Sequence, residues 1–289
     1  MLDARFLPHD NLLVFPAAAH KRPVMVALSH YFTPPGLAAS RDTRTVYVVV
    51  DTSLLLLDPG NGHVLVRWRL NLQALGWPAA MVLDPAGRVY IAGQRWDSSR
   101  PSAIVEALDV SRVRPPRVLW LTHLGVTHAG IWLGVAGRDR LAAYVPDAHD
   151  VSGTIAILDT RSSSSPGSRV LTSYSVDGPP AAADMTHDRL FLDDADTIRA
   201  LSLRHGTPVS AIAASGPLAL DPPRDLLVFT RHGTIVLTSE RTLRPLARVP
   251  LPGRQSSIRS LAVTPDGSTL FVGLEDGLIG INLGRCEAR

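Results

Sequence analysis

An apolar run, a turn, a second apolar run, a tight loop and a third run recur six times along the 289 residues. The last copy is the cleanest: Leu261–Val263, Pro265-Asp266-Gly267, Thr269–Leu274, Glu275-Asp276-Gly277, then Leu278–Leu283. β-Branched and aromatic residues fill the runs while Gly, Pro and Asp fill the gaps, which is the chemistry of short strands and tight turns. A unit of this kind cannot bury both its faces alone and must lean on its neighbours. A spacing of roughly 35 to 50 residues is that of a β-propeller with one four-stranded sheet, or blade, per repeat.

The second and third strands of the earlier units align in the same way. They are Thr45–Val50 with Ser53–Asp58, Arg88–Gly93 with Ala103–Asp109, Arg140–Val145 with Thr154–Asp159, Arg189–Leu192 with Thr197–Ser202, and Asp225–Thr230 with Thr234–Thr238. Five units add an outer run that alternates charged with apolar residues: His63–Leu70, Arg117–Leu121, Ser168–Ser173, Pro208–Ile212 and Leu243–Val249. Such alternation suits an edge strand that is half wet and must resist pairing with other molecules. The sixth unit has no outer run. Pro23–Ser29 has no inner strands of its own, and it is expected to fill that place and latch the two ends of the chain together. The expectation is therefore all-β: a single β-propeller domain over residues 1–289 with six four-stranded blades, closed by an N-terminal strand joining the C-terminal blade. A seventh blade around Asn11–Phe15 is the alternative. Helix is expected only as a single turn at Asn71–Leu75, since no other stretch sustains a 3.6-residue apolar period.

Composition narrows the function classes. Apolar residues make up 45% and charged residues 19%, as expected where many strands are buried on both faces. No window approaches the ~20 uninterrupted apolar residues of a membrane-spanning helix. Lys21 is the only lysine among 29 basic residues, yet the net charge is only +3 and the arginines are scattered, so a nucleic-acid footprint is not expected. The single cysteine, Cys286, cannot form an internal disulfide. The first ten residues, Met1–Asp10, carry neither a basic stretch followed by an apolar run nor an anchor.

The stretch Leu261–Gly273 resembles the signature of YVTN-type β-propeller repeats, and Leu83–Gly93 is a weaker match to it. The pattern covers about two fifths of the chain, and the remainder follows only by strand spacing. The resemblance implies a ring of blades and points to surface-layer and periplasmic binding proteins, lactonases and quinoprotein dehydrogenase heavy chains. By the same resemblance an extracytoplasmic location, periplasmic or at the cell surface, is implied. WD40 repeats fit less well, because no Gly-His and Trp-Asp pair closes each unit.

Chemistry in such a fold is sought in the loops between second and third strands and in the connections to the next blade. Two of the former are long, Gln94–Pro101 and Pro146–Gly153, and the connection Thr122–Ala129 is expected to emerge on the same side. Together they nominate Arg95, Trp96, Asp97, Arg100, His123, His128, His149 and Asp150 as a binding surface, with Asp147 beside them. Trp and Arg anchor partners well because they bury a large area and still offer donors. The same histidines and aspartates have the chemistry of zinc ligands, but they form no compact spacing motif and no metal is assigned. The run Asp193-Asp194-Ala195-Asp196 lacks the Gly and distal Glu of a calcium loop and is read as a turn. No Gly-x-Ser-x-Gly elbow and no glycine-rich phosphate loop occurs, so no catalytic residue and no cofactor is expected. The reading is a non-catalytic scaffold that presents rim loops to a protein partner or larger assembly. The alternative is a channel-mouth enzyme of the lactonase or quinoprotein-dehydrogenase-subunit type.

Overall fold

The computed structural model describes residues 11–14, 24–27, 36–40, 45–50, 52–58, 61–84, 86–97, 100–111, 116–127, 130–137, 139–147, 152–161, 169–194, 196–214, 216–231, 233–250, 258–264, 267–274 and 278–283. The chain divides into two compact units, Met1–Ser173 and Tyr174–Arg289, the boundary falling within a strand.

The first unit opens with a hairpin of β1 (Asn11–Val14) and β2 (Val24–Ala27). Three antiparallel sheets follow, each with its strands in chain order. The first is β3 (Gly36–Ala39), β4 (Val46–Val50), β5 (Ser53–Leu57) and β6 (Val64–Arg69). After α1 (Leu72–Leu75) come β7 (Trp77–Leu83), β8 (Arg88–Asp97), β9 (Arg100–Asp109) and β10 (Arg117–Val126). The third sheet is β11 (Trp132–Gly137), β12 (Arg140–Pro146), β13 (Ser152–Asp159) and β14 (Val170–Asp177). In the second unit lie β15 (Pro180–Asp184), β16 (Arg189–Asp194), β17 (Thr197–Leu201) and β18 (Pro208–Ile212), then β19 (Leu218–Asp221), β20 (Leu226–Arg231), β21 (Thr234–Ser239) and β22 (Pro245–Pro250). The last sheet is β23 (Ile258–Val263), β24 (Thr269–Leu274) and β25 (Leu278–Asn282).

The expected strand pairs and outer strands are all present, and one assignment needs correcting. Val24–Ala27 does not complete the last sheet: it pairs with Asn11–Val14, and the last sheet has three strands among the described residues. An apolar run reads equally well against any open edge, so composition alone does not choose its partner.

The middle strands of the second and fifth sheets are apolar on both faces because a neighbouring sheet stacks on each. All five residues of β5 are buried, whereas β6 alternates exposed with half-buried positions. Leu54 and Leu56 pack with Ile91, Ile104 and Leu108 between the first and second sheets, and Ala103 and Val105 pack with Leu133 and Leu141 between the second and third. In the second unit Phe191 and Ile198 meet Leu227 and Phe229, and Val228 and Leu237 meet Leu270 and Val272. Each such side chain contributes roughly 1.5–3 kcal/mol of burial.

A recurring polar device fixes the first turn of a sheet. Buried Asp84, Asp184 and Asp221 each end a first strand. Asp84 accepts the Ala86 and Arg88 N–H groups, and Asp184 those of Thr186 and His187. An arginine from the same turn then reaches a carbonyl in the next sheet: Arg88 to Thr160, Arg189 to Arg241 and Arg224 to Gly267. A second device repeats in the fourth and fifth sheets. Asp188 and Asp225 sit at φ 55° and 54°, a left-handed region that Asp tolerates better than most residues. Asp188 accepts from the Ser202 hydroxyl and the Arg204 N–H, and Asp225 accepts from the Ser239 hydroxyl and the Arg241 N–H.

A 3-10 turn at Pro222–Arg224 was not expected, and the α-helical turn forms where the sequence places it, with the Asn71 side chain accepting from the Gln73 and Ala74 N–H groups. It rests on β8 so closely that a Cβ at Gly93 would collide with the Leu75 carbonyl and side chain. Gly93→Ala is therefore expected to lower stability by about 1–3 kcal/mol in denaturant titration.

Glu106 stands on β9 between Ile104 and Leu108, is 3% exposed, and has a carboxylate oxygen with no hydrogen-bond partner. Burial pushes its carboxyl up to about 7, from an ordinary 4.5. The folded chain thus holds a proton that the unfolded chain releases, and stability falls as pH rises from about 4.5 to about 7, by up to about 3 kcal/mol. Glu106→Gln is expected to flatten that part of the profile: denaturation midpoints of variant and wild type converge at pH 4.5 and diverge at pH 8 in favour of the variant.

Candidate functional site

The second sheet outgrows the others. Strands β8, β9 and β10 each run ten residues, and the β8–β9 ladder continues from Arg88↔Asp109 to Asp97↔Arg100. Strand β7 leaves at Trp77↔Gln94, whereas β10 stays paired as far as Val126↔Ser102, after which the Thr127 N–H donates to the Pro101 carbonyl at 3.0 Å. Beyond Trp77 the sheet is thus a three-stranded spur.

Two expected loops are therefore strand. Gln94–Pro101 is paired up to Asp97 and again from Arg100, and Thr122–Ala129 is strand through Val126. Their polar residues read as loop because neither face of the spur carries an apolar stripe. The ladder continues because each strand offers the next one main-chain donors and acceptors.

The spur carries four of the nominated residues, Arg95, Trp96, Asp97 and Arg100, and His123 lies at its foot, in the row of Gly93 and Pro78. Arg95 is half-buried, Trp96 is 61% exposed and His123 is exposed. The backbone of Asp97 faces that of Arg100 at the tip. Residues paired across strands share a face. Arg95, Ser102 and Val126 form one row, and His123 lies in the row of Ile104 and Gly93 on the same face. Trp96 falls on the opposite face, diagonal to Trp77, which is 53% exposed and pairs with Gln94. The sequence did not single out Trp77. His128, His149 and Asp150 lie outside the described residues. Asp147 is exposed and accepts from the Ser152 hydroxyl at 2.9 Å, closing its own turn.

The densest titratable cluster lies elsewhere, in the second unit. His187 Nδ1 is 3.0 Å from Asp184 Oδ2 and 3.2 Å from Glu240 Oε2, and donor atoms of the three residues all lie within 4.8 Å of one another. Their side chains are 5%, 6% and 0% exposed for His187, Asp184 and Glu240. Burial, reinforced by the negative charges of Asp184 and Asp225, pushes the Glu240 carboxyl up to about 8. Arg241 Nη2 approaches His187 Nε2 at 2.9 Å; an arginine can only donate, so Nε2 accepts and Nδ1 carries the proton toward the carboxylates. Asp184, His187 and Glu240 are the described residues able to hold a metal ion. Sequence reading missed them because Glu240 lies 53 positions from His187 and no motif spans the gap. Aligning the units would have flagged Glu240. From the second sheet to the last, a residue just past the third strand donates its N–H back to the first turn; Glu240 does so in the fifth sheet, and Val110, Thr160, Leu203 and Leu283 do so in the others.

Among the described residues no helix is long and apolar enough to cross a membrane. No protein-family model matches the chain, and no curated protein matches it. Solved structures do. The crystal structure of Hsv2 from Kluyvelomyces marxianus aligns with a TM-score of 0.59 at 11% identity, covering 86% of this chain and 76% of that one. An Hsv2 in which loop 6CD is replaced by a Gly-Ser linker aligns with a TM-score of 0.61 at 12% identity, covering 86% and 77%. Identity this low speaks for architecture alone, and that architecture is a six-bladed β-propeller.

Proposed function

We propose that the protein is a non-catalytic propeller scaffold whose second-sheet spur docks a protein partner, alone or as a subunit of a larger assembly. The observation that carries the reading is the pair of exposed indoles, Trp96 on the spur and Trp77 at its root, on one face of a sheet held by main-chain hydrogen bonds. Exposed tryptophan loses water-contacting apolar area only when something covers it, and a rigid strand loses little entropy on being covered. Arg95 and His123 lie on the opposite face of the same sheet, and the tip positions Asp97 and Arg100 belong to the proposed surface with them. The nominated residues outside the described segments, His128, His149 and Asp150, belong to the same proposed surface.

The immobilised full chain and its Trp96→Ala variant, each exposed to lysate of the source organism, provide the test. A captured protein whose binding falls about 30-fold in the variant, the ~2 kcal/mol expected of an anchoring aromatic, supports the proposal. An unchanged set of captured proteins overturns it.

We further read the repeats as YVTN-type and the whole chain as one propeller domain. The Leu261–Gly273 signature and the shared spacing of all six units support this. A single domain unfolds in one cooperative transition whose calorimetric and van't Hoff enthalpies agree. Two separate calorimetric transitions, one for each of residues 1–173 and 174–289, would count against it.

A further inference from the structure

The three aspartates that end a first strand share a place in the repeat but not the same company. Asp84 Oδ2 is paired with Arg88 Nε at 2.6 Å, and Asp221 Oδ2 with Arg224 Nε at 2.7 Å. At Asp184 the corresponding partner is His187, at 3.0 Å, and a second carboxylate, Glu240, is brought against the same imidazole nitrogen. Where two of these sites neutralise a buried carboxylate with a guanidinium, the third puts two carboxylates and an imidazole. Glu240 is fully buried, and its Oε1 has no hydrogen-bond partner. A buried carboxylate oxygen left without a partner is costly, and the usual remedies are a proton, a water or a cation.

We propose that Asp184, His187 and Glu240 form a zinc-binding site that clamps the fourth sheet to the fifth. The donor set, one imidazole nitrogen and two carboxylates, suits zinc and similar transition ions rather than calcium or magnesium, which favour oxygen alone. The spacing fits as well. Tetrahedral zinc with ligands at about 2.0–2.1 Å has ligand-to-ligand edges of about 3.3 Å. The two edges that meet at His187 Nδ1 are 3.0 and 3.2 Å. Asp184 is held for the task, its Oδ1 accepting the Thr186 N–H at 2.9 Å and its Oδ2 the His187 N–H at 2.9 Å. The ion takes the place of the Nδ1 proton, which moves to Nε2 and ends the Arg241 contact, and the proton on the Glu240 carboxyl leaves to solvent. The Arg241 side chain is 63% exposed and already 3.9 Å from Asp225 Oδ1, so it has another carboxylate to turn to. This site is independent of the spur and does not rest on the partner-binding proposal.

Full-length protein stripped with chelator and titrated with zinc chloride tests the proposal, read by elemental analysis and by thermal melting. One zinc per chain and a melting temperature that climbs with zinc concentration are expected. Glu240→Gln, nearly isosteric, should weaken binding by at least about 100-fold. Glu240→Leu, which installs the residue type found at Leu203 and Leu283, should fold without zinc and lose the zinc-dependent shift altogether. Folded wild type that takes up no zinc, its three groups bridged by protons or water alone, overturns the proposal. Uptake that is undiminished in both variants, and so belongs to others of the ten histidines, overturns it too.

Discussion

Interleaving of aliphatic side chains between neighbouring sheets is the interaction without which nothing else here would stand. Strand β5 shows why: all five of its residues are buried, so no orientation of an isolated sheet could keep them from water. Each sheet is thus an incomplete core that its neighbours finish. The consequence runs down to composition, where runs such as Leu54–Leu57 tolerate no polar residue, and up to architecture, where no sheet is a separate folding unit.

Polar devices act on this apolar frame at the sheet ends, where stacking gives way to turns. Asp84, Asp184 and Asp221 satisfy turn N–H groups that would otherwise be buried without partners, or hold the arginine that crosses to the next sheet. The contact between Arg169 and the Trp120 ring, 4.7 Å from guanidinium carbon to centroid, works the same way: a buried cation covers an aromatic face and donates to the Arg161 carbonyl. Repetition of these devices makes departures visible. Glu106 in a strand otherwise lined by Ile104 and Leu108, and Glu240 in a place held elsewhere by Val, Thr or Leu, are the acidic exceptions in an apolar pattern.

The strands were legible because their signal is local. Thr45–Val50 or Asp225–Thr230 can be recognised from the residues within each run and the turns that flank it, and the α-helical turn at Asn71–Leu75 from the residues of its own stretch. Pairing is a different kind of information. Nothing in Val24–Ala27 says which edge it meets, and its partner Asn11–Val14 was legible only as another apolar run. The spur was misread for the converse reason: Gln94–Asp97 has strand geometry without strand composition, its order coming from main-chain pairing with β9 rather than from burial. Of the nominated surface, Arg95, Trp96, Asp97 and Arg100 lie on the spur and His123 at its foot, but Trp77 was overlooked because it belongs to the preceding strand. The buried triad was illegible as a motif, being assembled from two sheets.

A ladder of main-chain hydrogen bonds is indifferent to side-chain identity, and this gives the overhanging end of the second sheet an unusual freedom. Over Arg95–Asp97 and Arg100–Ser102 the backbone is aligned by its own amides, so residues there can be exchanged with little effect on shape. In a middle strand such as β5 a changed residue must still fit between two layers. On this projection new surface chemistry can be tried out by mutation without putting the rest of the fold at risk.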